Sequence, residues 1–198
     1  MTTPLRLVSR DDRPPPAVVA ERKATRMPVI AGTDEALIPL LPGDVTDAYV
    51  DGMRDAEVTR FMYGVRKTPQ TRETVSGYVR FNHDDPASLL FGIYTVGMLR
   101  GTVRLHAIDP GEGSCHLGIC IFDKSCWGGG LAGRCLAAAT RFAIEEAGIT
   151  RIIAGVDAEN AVSHRLFAGA GFRTDPSWRY LLDGRPTELW VFDARRAS

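Results

Sequence analysis

The sequence lacks several features that each mark a particular class of protein. It contains no run of about 18 apolar residues, the length at which a helix can span a membrane. Lysine plus arginine and aspartate plus glutamate both total 24, so net charge does not favour nucleic acid or an anionic membrane as the main partner. With 44% hydrophobic residues, the 198-residue chain is typical of one globular domain. We therefore expect no nucleic-acid partner and no membrane partner.

Cysteine is also scarce, and its spacing is uninformative. The four cysteines are Cys115, Cys120, Cys126 and Cys135, and none forms a C-x-x-C pair or a His/Cys zinc pattern. The sequence therefore predicts no metal site. Structural disulfides are not expected either, which fits a reducing cytoplasm.

The first 28 residues differ in character from the rest of the chain. They are polar, show no sustained period and contain a proline run at positions 14–16, without the apolar core of a secretory signal. We interpret residues 1–28 as an N-terminal extension that is partly disordered or packed on a partner chain. A mis-assigned start is the alternative, since Met27 stands just before the first structured segment. Residues 29–198 are expected to form a single domain.

Hydrophobic periodicity predicts an α+β fold with a mixed sheet of about seven strands and about four helices. The sheet should be antiparallel at its start and parallel in its middle, because a three-strand meander precedes a strand–helix–strand crossover. Predicted strands cover residues 36–41, 89–94, 101–108, 114–122, 151–156, 178–182 and 187–192. Helical patterns cover residues 44–53, 55–63, 71–82, 130–147 and 160–170.

A glycine-rich turn at residues 126–133 joins a predicted strand to the strongest predicted helix. Gly128, Gly129 and Gly130 are consecutive, which costs backbone entropy and contributes no packing. A tight turn is one explanation. The other is an anion site, in which the backbone approaches a phosphate closely and the free N–H groups of the first helical turn point at it. No Gly-Lys-Ser/Thr follows, so the turn is not a Walker loop.

Two motifs in this region resemble those of the GNAT acyltransferase superfamily. Trp127-x-x-Gly130-x-Ala132 is similar to the W-G-x-G-x-A signature of the branch that includes the ribosomal-protein N-terminal acetyltransferases. Asn160-x-x-Ser163, followed by a Gly-Phe pair at 171–172, resembles that branch's N-x-x-S…G-F segment. The likeness runs from about residue 34 to 193 in the order and spacing of the family.

The resemblance implies a GNAT-like fold with splayed central strands and an N-acetyltransferase that uses acetyl-CoA and no metal. The pantetheine arm would lie between the splayed strands, and an N–H at Ile121 or Phe122 would bind the thioester carbonyl and its oxyanion. The amine would attack directly, without a covalent enzyme intermediate. The implied cofactor-binding residues are Ile121, Phe122, Trp127, Gly128, Gly129, Gly130, Leu131, Ala132, Gly133, Asn160 and Ser163.

The acid–base groups depart from the family pattern. His116 stands where this branch often carries glutamate, and an imidazole suits deprotonation near neutral pH. The tyrosine that serves as general acid in many family members corresponds to Phe167, which cannot donate a proton. Ser163 is the remaining candidate for a general acid near the sulfur. His116 and Ser163 are thus the predicted catalytic residues, although a strand histidine bonded to a neighbour and a serine bonded to the helix backbone are the structural alternatives.

The acceptor is predicted less closely than the cosubstrate. Residues 60–63 match the segment that lines the acceptor pocket in similar proteins, and we expect Arg60, Phe61 and Tyr94 to contact the acceptor. A small-molecule or peptide amine and a homodimer are both compatible with the resemblance. The alternative function is a non-catalytic acyl-CoA-binding or regulatory module on the same fold, which the missing tyrosine and the unusual His116 would explain.

Overall fold

The computed structural model describes residues 17–31, 34–182 and 184–196. Within them, eight strands form one sheet in the order β1-β2-β3-β4-β5-β6-β8-β7. The strands are β1 Val29–Ile30, β2 Glu35–Pro39, β3 Leu89–Thr95, β4 Met98–Asp109, β5 Ser114–Ile121, β6 Arg151–Asp157, β7 Arg173–Leu182 and β8 Arg185–Asp193. The α-helices are α1 Ala17–Thr25, α2 Asp47–Arg54, α3 Tyr63–Arg66, α4 Arg72–Asp84, α5 Leu131–Glu145 and α6 Ala161–Gly169.

The connectivity confirms the predicted mixed sheet. Strands β1 to β5 pair in sequence as an antiparallel meander. The β5–β6 pair is parallel and is crossed by α5, whereas β8 pairs antiparallel with both β6 and β7. Relative to the predicted patterns, the described residues contain one more strand, the two-residue β1, and one more helix, α1, which lies in a segment without a sustained period.

Each face of the sheet has its own hydrophobic core, because side chains alternate between the faces of a strand. The rear face packs against α1 and α5, with Phe91, Leu105 and Phe142 fully buried. The front face packs against α2 and α4 through Leu90, Leu99 and Phe122. Strand β6 contributes Ile152, Ala154 and Val156 to the rear core, so its alternate residues face the front.

The structure corrects the prediction for the part of the N-terminal extension that it describes. Residues 17–25 form α1, and Val19 is only 1% exposed within the rear core of the same chain. The Lys23 ammonium donates to the main-chain oxygens of Asn82, His83 and Asp85, at 3.1, 2.7 and 2.6 Å. Lys23 therefore caps the carbonyl-rich end of α4. This part of the extension packs on its own domain, and residues 1–16 lie outside the described residues.

The segment between α2 and α4 is a second correction. Residues 55–63, predicted as a helix, form turns that end in the single turn of α3. The cause is local, because the Asp55 side chain accepts the N–H groups of Glu57 and Val58 at 2.8 and 3.4 Å and gives the backbone an alternative to helix. Helix α2 also begins later than predicted, at the Thr46 cap, whose hydroxyl accepts the Tyr49 N–H at 3.1 Å.

Candidate active site

A wedge-shaped cleft opens between the two parallel strands. Strands β5 and β6 pair only at Ser114↔Arg151, Cys115↔Ile152 and His116↔Ile153. Beyond these pairs, β5 runs on to Ile121 and β6 to Asp157, and no further pairing joins these two described strands. The predicted splay of the central strands is confirmed, and the two open edges present main-chain groups to whatever fills the cleft.

The direction of each peptide group on the β5 edge follows from its pairing with β4. In an antiparallel pair, the N–H and C=O of one residue point to the same side. The Phe122 N–H donates to the Arg100 oxygen at 3.1 Å, away from the cleft, so the N–H groups of Ile119 and Ile121 point into it. Of the two N–H groups predicted to bind the thioester carbonyl, that of Ile121 points into the cleft and that of Phe122 points away from it. Phe122 instead packs in the front core, with its ring stacked on Tyr49 at 4.7 Å.

The glycine turn at the mouth of the cleft has the backbone of an anion site. Gly128 and Gly130 adopt positive φ values of 77° and 76°, which favour glycine. No side chain caps α5, and a Cβ placed on Gly128 would meet nothing within 4 Å among the described atoms. Positive φ values therefore explain why Gly128 and Gly130, two of the three consecutive glycines, are glycine. The open surface of the turn and the uncapped N–H groups of Leu131, Ala132 and Gly133 fit a pyrophosphate.

Arg134 places a positive charge beside this turn. Its Nη1 donates to the Gly129 oxygen at 2.9 Å, while Nε and Nη2 bind the Glu35 carboxylate at 2.9 and 2.5 Å. The hydrogen bond from Arg134 is the main reason that the pKa of Glu35 is lowered. Arg134 therefore holds the Gly129 end of the turn in place, while the Glu35 carboxylate offsets its charge.

Asn160, Ser163 and Phe167, the three residues named near α6, have different surroundings. The Asn160 side chain accepts the Ser163 N–H at 3.1 Å and caps α6. Ser163 is half-buried, and its hydroxyl makes no hydrogen bond that the described residues reveal. Phe167 is 4% exposed and packs edge-on against Phe172, with ring centroids 5.1 Å apart. Phe167 is thus a core residue.

His116 lies at the closed end of the cleft on the front face. Its ring is 5.2 Å from that of His106, directly opposite on β4. Burial lowers the pKa of His116, and the charges of Arg104 and Arg151 lower it further. Five residues of strand separate His116 from Ile121, about 17 Å at the usual rise. His116 could therefore exchange a proton with an amine near Ile121 only through a chain of several water molecules.

The three residues predicted to contact the acceptor are not brought together. Arg60 is exposed and lies over the Phe61 ring, 5.1 Å from its centroid, in the turn before α3. Tyr94 lies on β3, with β4 and β5 between it and the cleft, and it packs on the front core. Two strand spacings are about 10 Å, so the predicted acceptor contact of Tyr94 is not supported.

The open edge of β6 instead carries a polar cluster centred on Asp157, a residue that no sequence motif indicated. The Asp157 side chain is 6% exposed. It accepts the Tyr63 hydroxyl at 3.1 Å, the Glu159 N–H at 2.8 Å and Arg185 Nε at 3.4 Å. Asp157 directly follows an apolar strand, and this position could have indicated a site. Its partners come from elements 94 and 28 residues away, which no sequence pattern connects.

The electrostatics of the cluster keep Asp157 ionised. Burial pushes the pKa of Asp157 upward, but the Glu159 N–H, the Tyr63 hydroxyl and Arg185 together outweigh it, so the pKa is lowered overall. Arg185 also binds the Glu159 carboxylate at 2.5 Å, and its guanidinium lies 5.2 Å from the centre of the Tyr63 ring.

Among the described residues, no group of three His, Cys, Asp or Glu side chains could hold a metal ion. None of the described helices is long and apolar enough to cross a membrane.

Comparison with solved structures shows that the fold is shared with known acetyltransferases. RimL, a ribosomal L7/L12 alpha-N-protein acetyltransferase solved with coenzyme A, is 16% identical with a TM-score of 0.70, over 85% of this chain and 99% of its own. Spermidine N-acetyltransferase from Vibrio cholerae, solved with CoA and spermine, gives the same identity and TM-score over 83% and 98%. RimJ from Mycobacterium smegmatis, with CoA-disulfide, is 22% identical with a TM-score of 0.65 over 84% of each chain.

The family itself is identified by sequence. No curated protein matches the chain. A model of the acetyltransferase (GNAT) domain matches residues 36–173, which include the cleft, the glycine turn and α6. The chain therefore belongs to the GNAT acetyltransferase family, whose members transfer the acetyl group of acetyl-CoA to an amine.

Proposed function

We propose that acetyl-CoA binds with its pyrophosphate at residues 127–133 and its pantetheine arm in the cleft between β5 and β6. One observation carries this proposal: the uncapped N-terminus of α5 and the unpaired edge of β5 lie next to each other at the same end of the cleft. The indole N–H of Trp127, which begins the turn, donates to the oxygen of Ile121, which ends the strand, at 2.9 Å. An anion site and an extended slot that are joined in this way match the two chemical parts of coenzyme A.

Three residues of the cleft each have a separate role in the proposed reaction. Acetyl-CoA supplies the activated thioester. The Ile121 N–H donates to the thioester oxygen as negative charge develops on it. The Ser163 hydroxyl, in the first turn of α6, donates to the leaving sulfur. His116, kept neutral by its surroundings, accepts the amine proton through water.

The acceptor belongs to the amines, and its finer class is part of the proposal. The structural neighbours include an enzyme named for the N-terminus of a ribosomal protein and one named for spermidine. This chain is less than 25% identical to either, so neither acceptor transfers to it. We propose a small-molecule or peptide amine as acceptor.

The test is a thiol-release assay with acetyl-CoA and a panel of peptide, polyamine and amino-sugar acceptors. Ser163→Ala should lower kcat at least tenfold, while coenzyme A binding measured by calorimetry stays within twofold. Val162→Ala is the matched control, because this neighbouring side chain is 69% exposed. Release of no thiol with any amine, together with tight coenzyme A binding, would favour the acyl-CoA-binding module instead.

A homodimer remains a further part of the proposal. It is supported by Leu181 and Leu182 on the outermost strand β7, whose side chains are 69% and 52% exposed. Exposed leucines on an edge strand favour pairing of that strand with the edge strand of a second copy. Light scattering of the wild type and of Leu181→Lys, which should remain monomeric, tests this.

A further inference from the structure

Arg104 is a half-buried arginine of β4 whose charge has no acidic partner. Its side chain is on the front face, since Val103 and Leu105 pack in the rear core. The Nε atom is buried without a hydrogen bond, and no ion pair joins the guanidinium to a carboxylate within the part of the chain that the structure describes. The guanidinium lies 5.8 Å from the centre of the Tyr78 ring on α4. A charge withdrawn from water in this way normally has a counter-ion, so Arg104 is suited to bind an anionic ligand.

The residue directly opposite Arg104 leaves the adjoining surface open. Gly118 pairs with Arg104 across β4 and β5, and it faces the front because Leu117 packs in the rear core. Gly118 is exposed, its φ is not positive, and a Cβ there would meet nothing within 4 Å among the described atoms. Neither conformation nor packing explains a glycine in this central strand. A strand glycine of this kind often marks the close approach of a ligand.

The open surface over Gly118 lies between Arg104 and the reacting end of the cleft. Directly opposite residues of an antiparallel pair have Cβ positions about 5 Å apart, which is within the reach of an arginine side chain. Burial lowers the pKa of His116, the preceding front-face residue of β5, and the charge of Arg104 lowers it further, so this charge acts on β5. Gly118 is three residues from Ile121, a separation of about 10 Å at the usual rise.

We propose that Arg104 binds a carboxylate of the acceptor over Gly118, so that this enzyme acts on amines that also carry a negative charge. One guanidinium matches the single charge of a carboxylate, whereas a phosphate carries about 1.5 to 2 negative charges at neutral pH and would need further cations. The 10 Å separation requires that several bonds of an extended chain lie between carboxylate and amine. The inference rests on the proposed function, and it names the acceptor class as acidic amines and not polyamines.

The first test compares three acceptors of similar length: 6-aminohexanoate, its amide and 1,6-diaminohexane. Wild type should prefer the carboxylate to the amide about thirtyfold in kcat/KM, the size of one hydrogen bond between charged groups. The diamine should be poorer still, because Arg104 repels its second ammonium. The ratio of two acceptors in one enzyme does not depend on the ionisation of His116, which Arg104 also influences.

Two variants of Arg104 distinguish a binding role from structural support. Arg104→Gln should bring the ratio of carboxylate to amide within about twofold of one, and the KM for acetyl-CoA should stay within about twofold. Arg104→Glu should reverse the order and favour 1,6-diaminohexane. A residue that only supports the fold would lower the rate with all three acceptors and leave their order unchanged, and that result would overturn the site.

Arg80→Gln is the matched control for these variants. Arg80 is exposed on α4, the helix that also carries Tyr78, and its replacement should leave the order of the three acceptors as in the wild type. A loss of selectivity in Arg80→Gln equal to that in Arg104→Gln would mean that overall charge, and not the position of Arg104, selects the acceptor.

Gly118→Ala tests where the carboxylate lies. The added methyl group enters open space, so Tm should not fall, whereas kcat/KM for 6-aminohexanoate should fall about tenfold because the methyl displaces the carboxylate. Gly77→Ala on α4 is the control and should leave this constant unchanged. Wild-type activity of Gly118→Ala with 6-aminohexanoate would contradict the position over Gly118.

The wild-type results separate this inference from the function on which it rests. A ratio of carboxylate to amide below about three overturns the inference, and so does acetylation of other amines of the panel but of none of these three. Either result leaves the proposed function intact. A wild type that releases no thiol with any amine overturns both.

Discussion

Trp127 donates its indole N–H to the main-chain oxygen of Ile121 at 2.9 Å, although the Trp127 side chain is 43% exposed. The N–H of the same peptide group, on Phe122, donates to Arg100. This peptide unit is thus fixed from both sides, once by the turn and once by β4. The end of β5 is therefore held in place beside the cleft without any bond to β6.

Trp127→Phe should lower kcat for acetyl transfer about fivefold, because it keeps an aromatic ring and removes one hydrogen bond of about 1 kcal/mol. With the bond lost, the strand end moves and the Ile121 N–H meets the thioester oxygen less accurately. Steady-state kinetics should show the loss in kcat more than in the KM for acetyl-CoA.

Trp190→Phe is the control for this change. The Trp190 indole N–H is buried and has no hydrogen-bond partner among the described residues, so the same substitution there removes no bond. It should lower Tm through lost packing and leave kcat unchanged. A Trp127→Phe enzyme with wild-type kcat would show that the indole bond does not position the strand.

The glycine turn should be sensitive to a single methyl group. Gly130→Ala forces a Cβ into a left-handed conformation, which costs about 1–2 kcal/mol, and places it 2.9 Å from Arg134 Nη1. We expect a lower Tm and a higher KM for acetyl-CoA, measured by thermal unfolding and steady-state kinetics.

Gly77→Ala provides the opposite expectation. Gly77 is exposed in α4, and a Cβ there would meet nothing within 4 Å among the described atoms. Replacement of a helical glycine by alanine should stabilise the protein by about 0.5–1 kcal/mol and leave acetyl-CoA binding unchanged. If Gly130→Ala bound acetyl-CoA normally, the proposed pyrophosphate site would be wrong.

The sequence predicted the elements whose ends are set by local chemistry. Asn160 caps α6 and the turn ending at Gly130 opens α5, and both signals lie within a few residues of the helices that they start. The segment 55–63 was mispredicted because one side chain, Asp55, competes for the backbone. The contacts of Asp157 escaped prediction for another reason: it meets Arg185 because the sheet order places β6 beside β8, and it meets Tyr63 from an element 94 residues away. Contacts of this kind depend on the whole fold.

Helix α1 should contribute substantially to stability. Val19→Ala opens space in the rear core at a residue that is 1% exposed, so we expect a loss of about 2 kcal/mol in the free energy of unfolding, measured with urea. Val162→Ala, at a side chain that is 69% exposed, is the matched control and should change stability by less than about 0.5 kcal/mol.

A chain begun at Met27 provides the stronger version of this test. It lacks both Val19 and the Lys23 cap on α4, and it should lose more stability than Val19→Ala alone. Equal stability of the shortened and full chains would show that α1 contributes nothing to the stability of the domain.

The pH dependence of the reaction should report on His116. Its pKa is lowered, first by burial and then by Arg104 and Arg151, so it lies below the usual value of about 6.5. Only the neutral imidazole accepts a proton, so kcat/KM divided by the neutral fraction of the acceptor amine should rise with pH through this lowered pKa and then level off. Arg151→Gln removes a positive charge, which raises the pKa of His116 and shifts the acidic limb of the pH profile to higher pH.

Arg141→Gln, on α5 behind the sheet, is the control and should leave the acidic limb in place. Ionisation of the acceptor amine affects all the enzymes equally, so the difference between the two variants isolates the enzyme group. Identical profiles for wild type and Arg151→Gln would mean that another group accepts the proton.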